Sequence, residues 1–270
     1  VTVDTVMISS LAGLAGLLFG SFANVPIHRW PRQGSILEPR TSACPACGTE
    51  IAPWDNVPVL SWFILRGRCR SCRAPIHWRY PLVEAITAVL FAAVALVHGW
   101  TGILPALLVI TWSAVVATAI DLEFRIIPNR MTYPLAPIMF VLVTFAAVVD
   151  GQWGDWTRAV VAGVAIPVVM FLFSYAFELL RGKPGIGMGD IKWAPSLALA
   201  VGYLGTWHLV IWFYGTIISG GVIAIGLVLA GRARMASRIP YGPYLAAGAM
   251  LAILAGEPIA AWLQDRLLGI

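Results

Sequence analysis

Two acids stand where apolar sequence makes a charge costly. Asp190 closes the run Gly185-Ile186-Gly187-Met188-Gly189-Asp190 at the mouth of one apolar segment, and Asp121 ends another in Ala119-Ile120-Asp121-Leu122-Glu123-Phe124. Ionisable groups at membrane depth are rare unless they have a function. If the two meet, they supply the parts of a metal-free hydrolysis. One ionised carboxyl takes a proton from water while its protonated partner donates to a peptide carbonyl or leaving amine. Carboxylates this close cannot both ionise, so they share a proton. Helix dipoles favour charge at the start of a span, where Asp190 lies, and disfavour it at the end, where Asp121 lies. That polarity assigns the ionised role to Asp190. The bland role for Asp190 is an N-cap; Asp121, at a helix C-terminus, has no such alternative. Gly187 and Gly189 are expected to position substrate by letting an extended backbone approach the acid. The 183–190 loop would offer that backbone an edge for strand addition.

The four cysteines form a second constellation, Cys44-Pro45-Ala46-Cys47 and Cys69-Arg70-Ser71-Cys72. Paired C-x2-C knuckles at this separation have the pattern of a zinc ribbon, with four thiolates completing a tetrahedron around a structural Zn2+. Gly48 and Arg73, one residue beyond each pair, fall in the knuckle turns, where a positive φ is expected. So short a segment with few aliphatics has little core, and a metal would supply the missing folding energy.

The elements that position these groups are membrane spans. Hydrophobic residues make up 59% of the chain and charged residues 11%, far from the roughly 25% charge of a soluble domain. The chain reads as an all-α polytopic membrane protein with about eight transmembrane helices, over 5–23, 82–98, 103–120, 133–149, 159–179, 191–206, 208–230 and 243–262. The first run is expected to be a retained span, not a cleaved signal. The domains expected are a first transmembrane helix over 1–23, a four-cysteine zinc-binding domain over 24–81 and a transmembrane core over 82–270. Sixteen of the eighteen Lys and Arg residues fall on one side: eight in 24–81, then Arg125, Arg130, Arg181, Lys183, Lys192, Arg232, Arg234 and Arg238. That bias makes the zinc-binding domain and both acids cytoplasmic and both termini external. The lipid bilayer is the expected partner of the basic face, and nucleic acid is not.

Gly20-Ser21-Phe22-Ala23-Asn24-Val25, Arg29-Trp30-Pro31, Asp55-Asn56-Val57-Pro58-Val59-Leu60-Ser61-Trp62 and Arg79-Tyr80-Pro81-Leu82-Val83-Glu84 resemble the bacterial prepilin peptidases, or type IV leader peptidases. Asp121 with Ile127-Pro128-Asn129, and Gly187-Met188-Gly189-Asp190 with Lys192, resemble that family's two catalytic blocks. The resemblance runs from residue 20 to about 206. It implies a GxGD-type intramembrane aspartyl protease in the bacterial inner membrane, with Asp121 and Asp190 as its catalytic pair. Such enzymes cut a short basic leader from prepilins or pseudopilins after Gly at the cytoplasmic face. Members bearing the cysteine loop often also N-methylate the new terminus with S-adenosylmethionine; this loop, with Cys44, Cys47, Cys69 and Cys72, matches theirs. Glu84 is a candidate for that chemistry, although pairing with Arg79 is the commoner role for such an acid. Trp193 and Pro195 depart from the small and aliphatic residues expected after the second block, and Pro195 is expected to kink or delay the sixth span. Two other function classes fit the composition: a transporter with an aspartate proton relay, and a non-catalytic zinc-ribbon subunit of a secretion or pilus assembly machine.

Overall fold

The computed structural model describes residues 3–38, 41–230 and 240–268. Arg40, Arg232, Arg234 and Arg238, which contribute to the charge bias, lie outside the described residues. Seven helices among these residues are long and apolar enough to cross a membrane. The chain divides into two compact units, Val1–Trp100 and Thr101–Ile270.

The first unit pairs α1 (Val3–Arg29) with α3 (Arg79–His98). Lipid tails give apolar helices little reason to associate, so the pair depends on close backbone approach through small residues. Gly16 and Gly20 supply it. A methyl on Gly16 would lie 2.6 Å from Ala88 Cα, and one on Gly20 would lie 2.7 Å from Glu84 Cα. Between the helices runs the polar insert, with its short helix α2 (Leu60–Ile64). Trp62 organises this insert: its indole N–H donates to the Ile76 carbonyl at 3.1 Å, and its ring lies where a Gly67 methyl would be. Arg70 grips Asp55 through two parallel hydrogen bonds of 2.7 and 2.6 Å. The guanidinium holds the Asp55 carboxyl below its usual range.

The second unit comprises α4 (Leu104–Phe124), α5 (Asn129–Asp150), α6 (Trp153–Arg181), α7 (Met188–Leu204), α8 (Thr206–Leu229) and α9 (Gly242–Leu268). Its centre is α7, where 12 of 17 residues are buried and against which α4, α5, α6, α8 and α9 all pack. At 17 residues, α7 rises only about 25 Å. It covers the run expected from the sequence to be a short sixth span, and it is not among the seven helices long enough to cross. Pro195 does not delay it, because the helix starts at Met188 and continues through the proline. Trp193 is fully buried and donates its indole N–H to Ser113 Oγ on α4 at 3.3 Å. Two of the C-terminal carbonyls of α7 are taken up by Arg158 of α6, which donates to Gly202 O at 2.8 Å and to Tyr203 O at 2.9 Å. This cation complements the negative end of the helix.

Gly16→Leu should force α1 from α3 and lower stability by about 1–3 kcal/mol. Thermal unfolding in detergent, compared with Gly154→Ala, where the added methyl meets nothing within 4 Å, measures it. An unchanged midpoint for Gly16→Leu would show that the close approach contributes no stability.

Candidate active site and cysteine centre

Both sequence-predicted aspartates lie in the second unit, each at the end of a helix and each buried. Asp121 occupies the last turn of α4, which stops at Arg125 in the left-handed conformation, φ 56°. Its backbone carbonyl accepts the Arg125 N–H at 2.9 Å. Asp190 occupies the first turn of α7, three residues beyond the Gly187 N-cap. The two side chains are near enough for the charge of Asp121 to act on Asp190.

Ile127 occupies the space between the helix ends. A methyl on Gly189 would lie 3.1 Å from Ile127 Cβ and 3.3 Å from its backbone N. One on Gly242, the first residue of α9, would lie 3.2 Å from Ile127 Cδ1 and 2.9 Å from Asp121 Oδ2. The Gly242 N–H donates to the same Oδ2 at 2.9 Å. The two sequence blocks are also tied by Lys192, whose Nζ donates to Asn129 Oδ1 at 3.1 Å and sits 5.1 Å from the centre of the Tyr133 ring.

Gly187 lies beside its own helix's acid, since a methyl there would meet Asp190 Oδ2 at 2.6 Å. Asp190 Oδ1 is buried with no hydrogen-bond partner among the described residues. The 183–190 loop, by contrast, is not the free edge expected for strand addition. Ile186 donates its N–H to Ser174 Oγ, and that hydroxyl is also 3.1 Å from the Ile186 carbonyl, to which it donates. From Met188 onward the backbone is helical. A cavity of about 210 Å³ lies between this loop and α6, bounded by Phe171, Ser174, Glu178, Ile186 and Gly187. Neither aspartate is among its lining residues.

Sequence reasoning missed Tyr241 and Gly242. The Tyr241 phenol is pushed up, first by burial and then by the charge of Asp190, which places it in the field of the site. The signal was in Pro240-Tyr241-Gly242-Pro243: a glycine followed by a proline at a helix start marks a tight entry. The dipole assignment of roles also lacked the Gly242 donor on Asp121.

In the first unit the four cysteines meet. Their sulfurs all lie within 4.8 Å of one another, none is disulfide-bonded, and Cys44 Sγ is 3.8 Å from Cys72 Sγ. A tetrahedron with metal–sulfur bonds of about 2.3 Å has sulfur–sulfur edges of about 3.8 Å, so the cluster fits a metal ion. Two matching knuckles build it. Cys44 N–H bonds to Thr49 O and Gly48 N–H to Cys44 O; Cys69 N–H bonds to Ala74 O and Arg73 N–H to Cys69 O. Gly48 has φ 71° and Arg73 φ 61°, as expected for the knuckle turns. The Cys47 thiol is lowered to about 6, by the Thr49 side chain first and then its backbone. The Cys69 thiol is lowered by the backbone N–H groups of Cys72 and Ser71.

Glu84, buried in α3, accepts the Val59 N–H at 2.6 Å and also hydrogen-bonds the Ser21 side chain, two partners that the sequence had not pointed to. Val59 itself has φ 62°, a costly conformation for a β-branched residue. The Glu84 bond fixes it there.

Residues 14–98 match the family model described as Bacterial Peptidase A24 N-terminal domain, and residues 107–225 the one described as Type IV leader peptidase family. A protein of Aeromonas hydrophila named prepilin leader peptidase/N-methyltransferase is 38% identical, over 94% of this chain and 92% of its own length. Proteins of the same name from Pseudomonas aeruginosa and Dichelobacter nodosus are 34% and 32% identical, over 91% and 92% of this chain and 90% and 91% of theirs. No solved structure matches the chain. The paired helix-end acids, the cysteine knuckles and these alignments agree: the chain belongs to the type IV leader peptidase family.

Proposed function

We propose that this protein is a prepilin or pseudopilin leader peptidase that cleaves after Gly at the cytoplasmic face of the bacterial inner membrane, with Asp121 and Asp190 as the catalytic pair. The observation that carries the reading is the convergence of three helix ends on Ile127, which brings the two acids within electrostatic reach. In this mechanism the pair holds one proton. The ionised carboxyl takes a proton from the attacking water as its oxygen bonds to the scissile carbonyl carbon. The other carboxyl gives its proton to the leaving amine as the carbon–nitrogen bond breaks, and the pair ends with one proton again. Gly187 leaves room beside the Asp190 carboxylate, and Gly189 lets Ile127 approach the first turn of α7.

The further parts follow from the family. Cys44, Cys47, Cys69 and Cys72 hold a structural Zn2+, since four protein thiolates leave no open position for catalysis. The insert over 24–81 is a cytoplasmic zinc-binding domain, and the termini are external. N-methylation of the new terminus, with S-adenosylmethionine as donor, is the second activity; the names of the relatives support it.

In proteoliposomes containing a prepilin, Asp121→Asn and Asp190→Asn should each lower cleavage by at least about 100-fold. Cleavage that survives either change excludes the paired mechanism. Cys69→Ser or chelation of the metal should reduce N-methylation or protein abundance more than cleavage per folded molecule. Mass spectrometry of the product terminus separates the two activities. Equal and complete loss of cleavage in well-folded Cys69→Ser protein counts against a purely structural metal.

A further inference from the structure

Of the contacts around the two acids, the one from α9 has no part in the mechanism above. Asp121 Oδ2 receives the Gly242 N–H at 2.9 Å, a buried bond across 121 residues of chain. The same oxygen would lie 2.9 Å from a methyl placed on Gly242, and Asp121 Cγ 3.3 Å from it. Position 242 therefore touches the carboxylate in two ways: its N–H holds one oxygen, and its missing side chain leaves room for that oxygen. Gly242 has no positive φ requiring glycine, and it stands at the first position of a helix. Its place before Pro243 is one reason for glycine here, and the space beside Asp121 is a second.

We infer that Gly242 is a positioning residue of the catalytic pair: α9 contributes it to set the Asp121 carboxylate at the distance from Asp190 that one water can bridge. The inference rests on the paired-aspartate reading above. It makes the entry to the last helix a third component of the site, beside the ends of α4 and α7. The atoms that yield to a methyl at 242 are the ends of two side chains, Asp121 and Ile127, and not backbone. The substitution therefore costs the fold little and moves the carboxylate. A displacement of a few tenths of an ångström in a pair that shares a proton falls on the chemical step, because near-attack geometry carries a large part of such catalysis.

The test uses the full chain in proteoliposomes with a prepilin substrate. Gly242→Ala is compared with Gly221→Ala, where a methyl on α8 meets nothing within 4 Å, and with Asp121→Asn. Gly242→Ala should keep its thermal midpoint and lose at least about tenfold in kcat with KM within about twofold, while Gly221→Ala matches wild type. Wild-type kcat in folded Gly242→Ala overturns the inference and leaves the paired-aspartate reading intact. Cleavage by Asp121→Asn overturns both. If Gly242→Ala folds poorly, Ile127→Val in the same chain removes the Cδ1 contact and leaves the one to Asp121 Oδ2. Low kcat in that double variant supports positioning; recovery of kcat assigns the effect to packing and overturns the inference.

Discussion

The second unit depends on backbone approach around one side chain. Ile127 is held between the first turn of α7 and the first residue of α9 because Gly189 and Gly242 present no side chain to it. Helix ends carry unsatisfied backbone groups, and bringing three of them together in apolar surroundings is costly unless those groups find partners. Here they do. Arg125 closes α4, the carbonyl of Tyr241 receives the first N–H groups of α9, and the Gly242 N–H is taken by a carboxylate. The acid at the site is thus also part of the helix-end accounting, and structure and chemistry draw on the same atoms.

Much of this was legible because the chemistry-bearing residues lie at span ends. Asp121 and Asp190 stood out against apolar surroundings, and the C-x2-C pairs named their own geometry down to the positive φ at Gly48 and Arg73. The short α7 was legible too, as the shortest of the apolar runs. What stayed hidden were contacts between residues far apart in the chain. Nothing near Asp121 in sequence points to Gly242, and nothing near Glu84 points to Val59, 25 residues away. Pro195 misled for a related reason. A proline inside a helix carries a local penalty, but α7 is packed on every side, and tertiary packing outweighs it.

The insert of the first unit follows another logic. It has almost no apolar core, and Trp54, Phe63 and Trp78 are exposed. Order comes from discrete clasps: the cysteine cluster, the Arg70–Asp55 fork, the Trp62 indole, and the Glu84 carboxylate that ties Val59 to α3. Each clasp joins positions distant in the insert, so the loop is cross-linked without being tightly packed.

Ser174 sets the depth of one acid. It lies seven residues before the end of α6 at Arg181, a rise of about 10 Å, and its hydroxyl pins Ile186 alongside it. After leaving α6 the chain doubles back down that helix before α7 begins, so α7 starts recessed by roughly two turns. The backbone leading to Asp190 is therefore anchored along the length of α6 and not beyond its end.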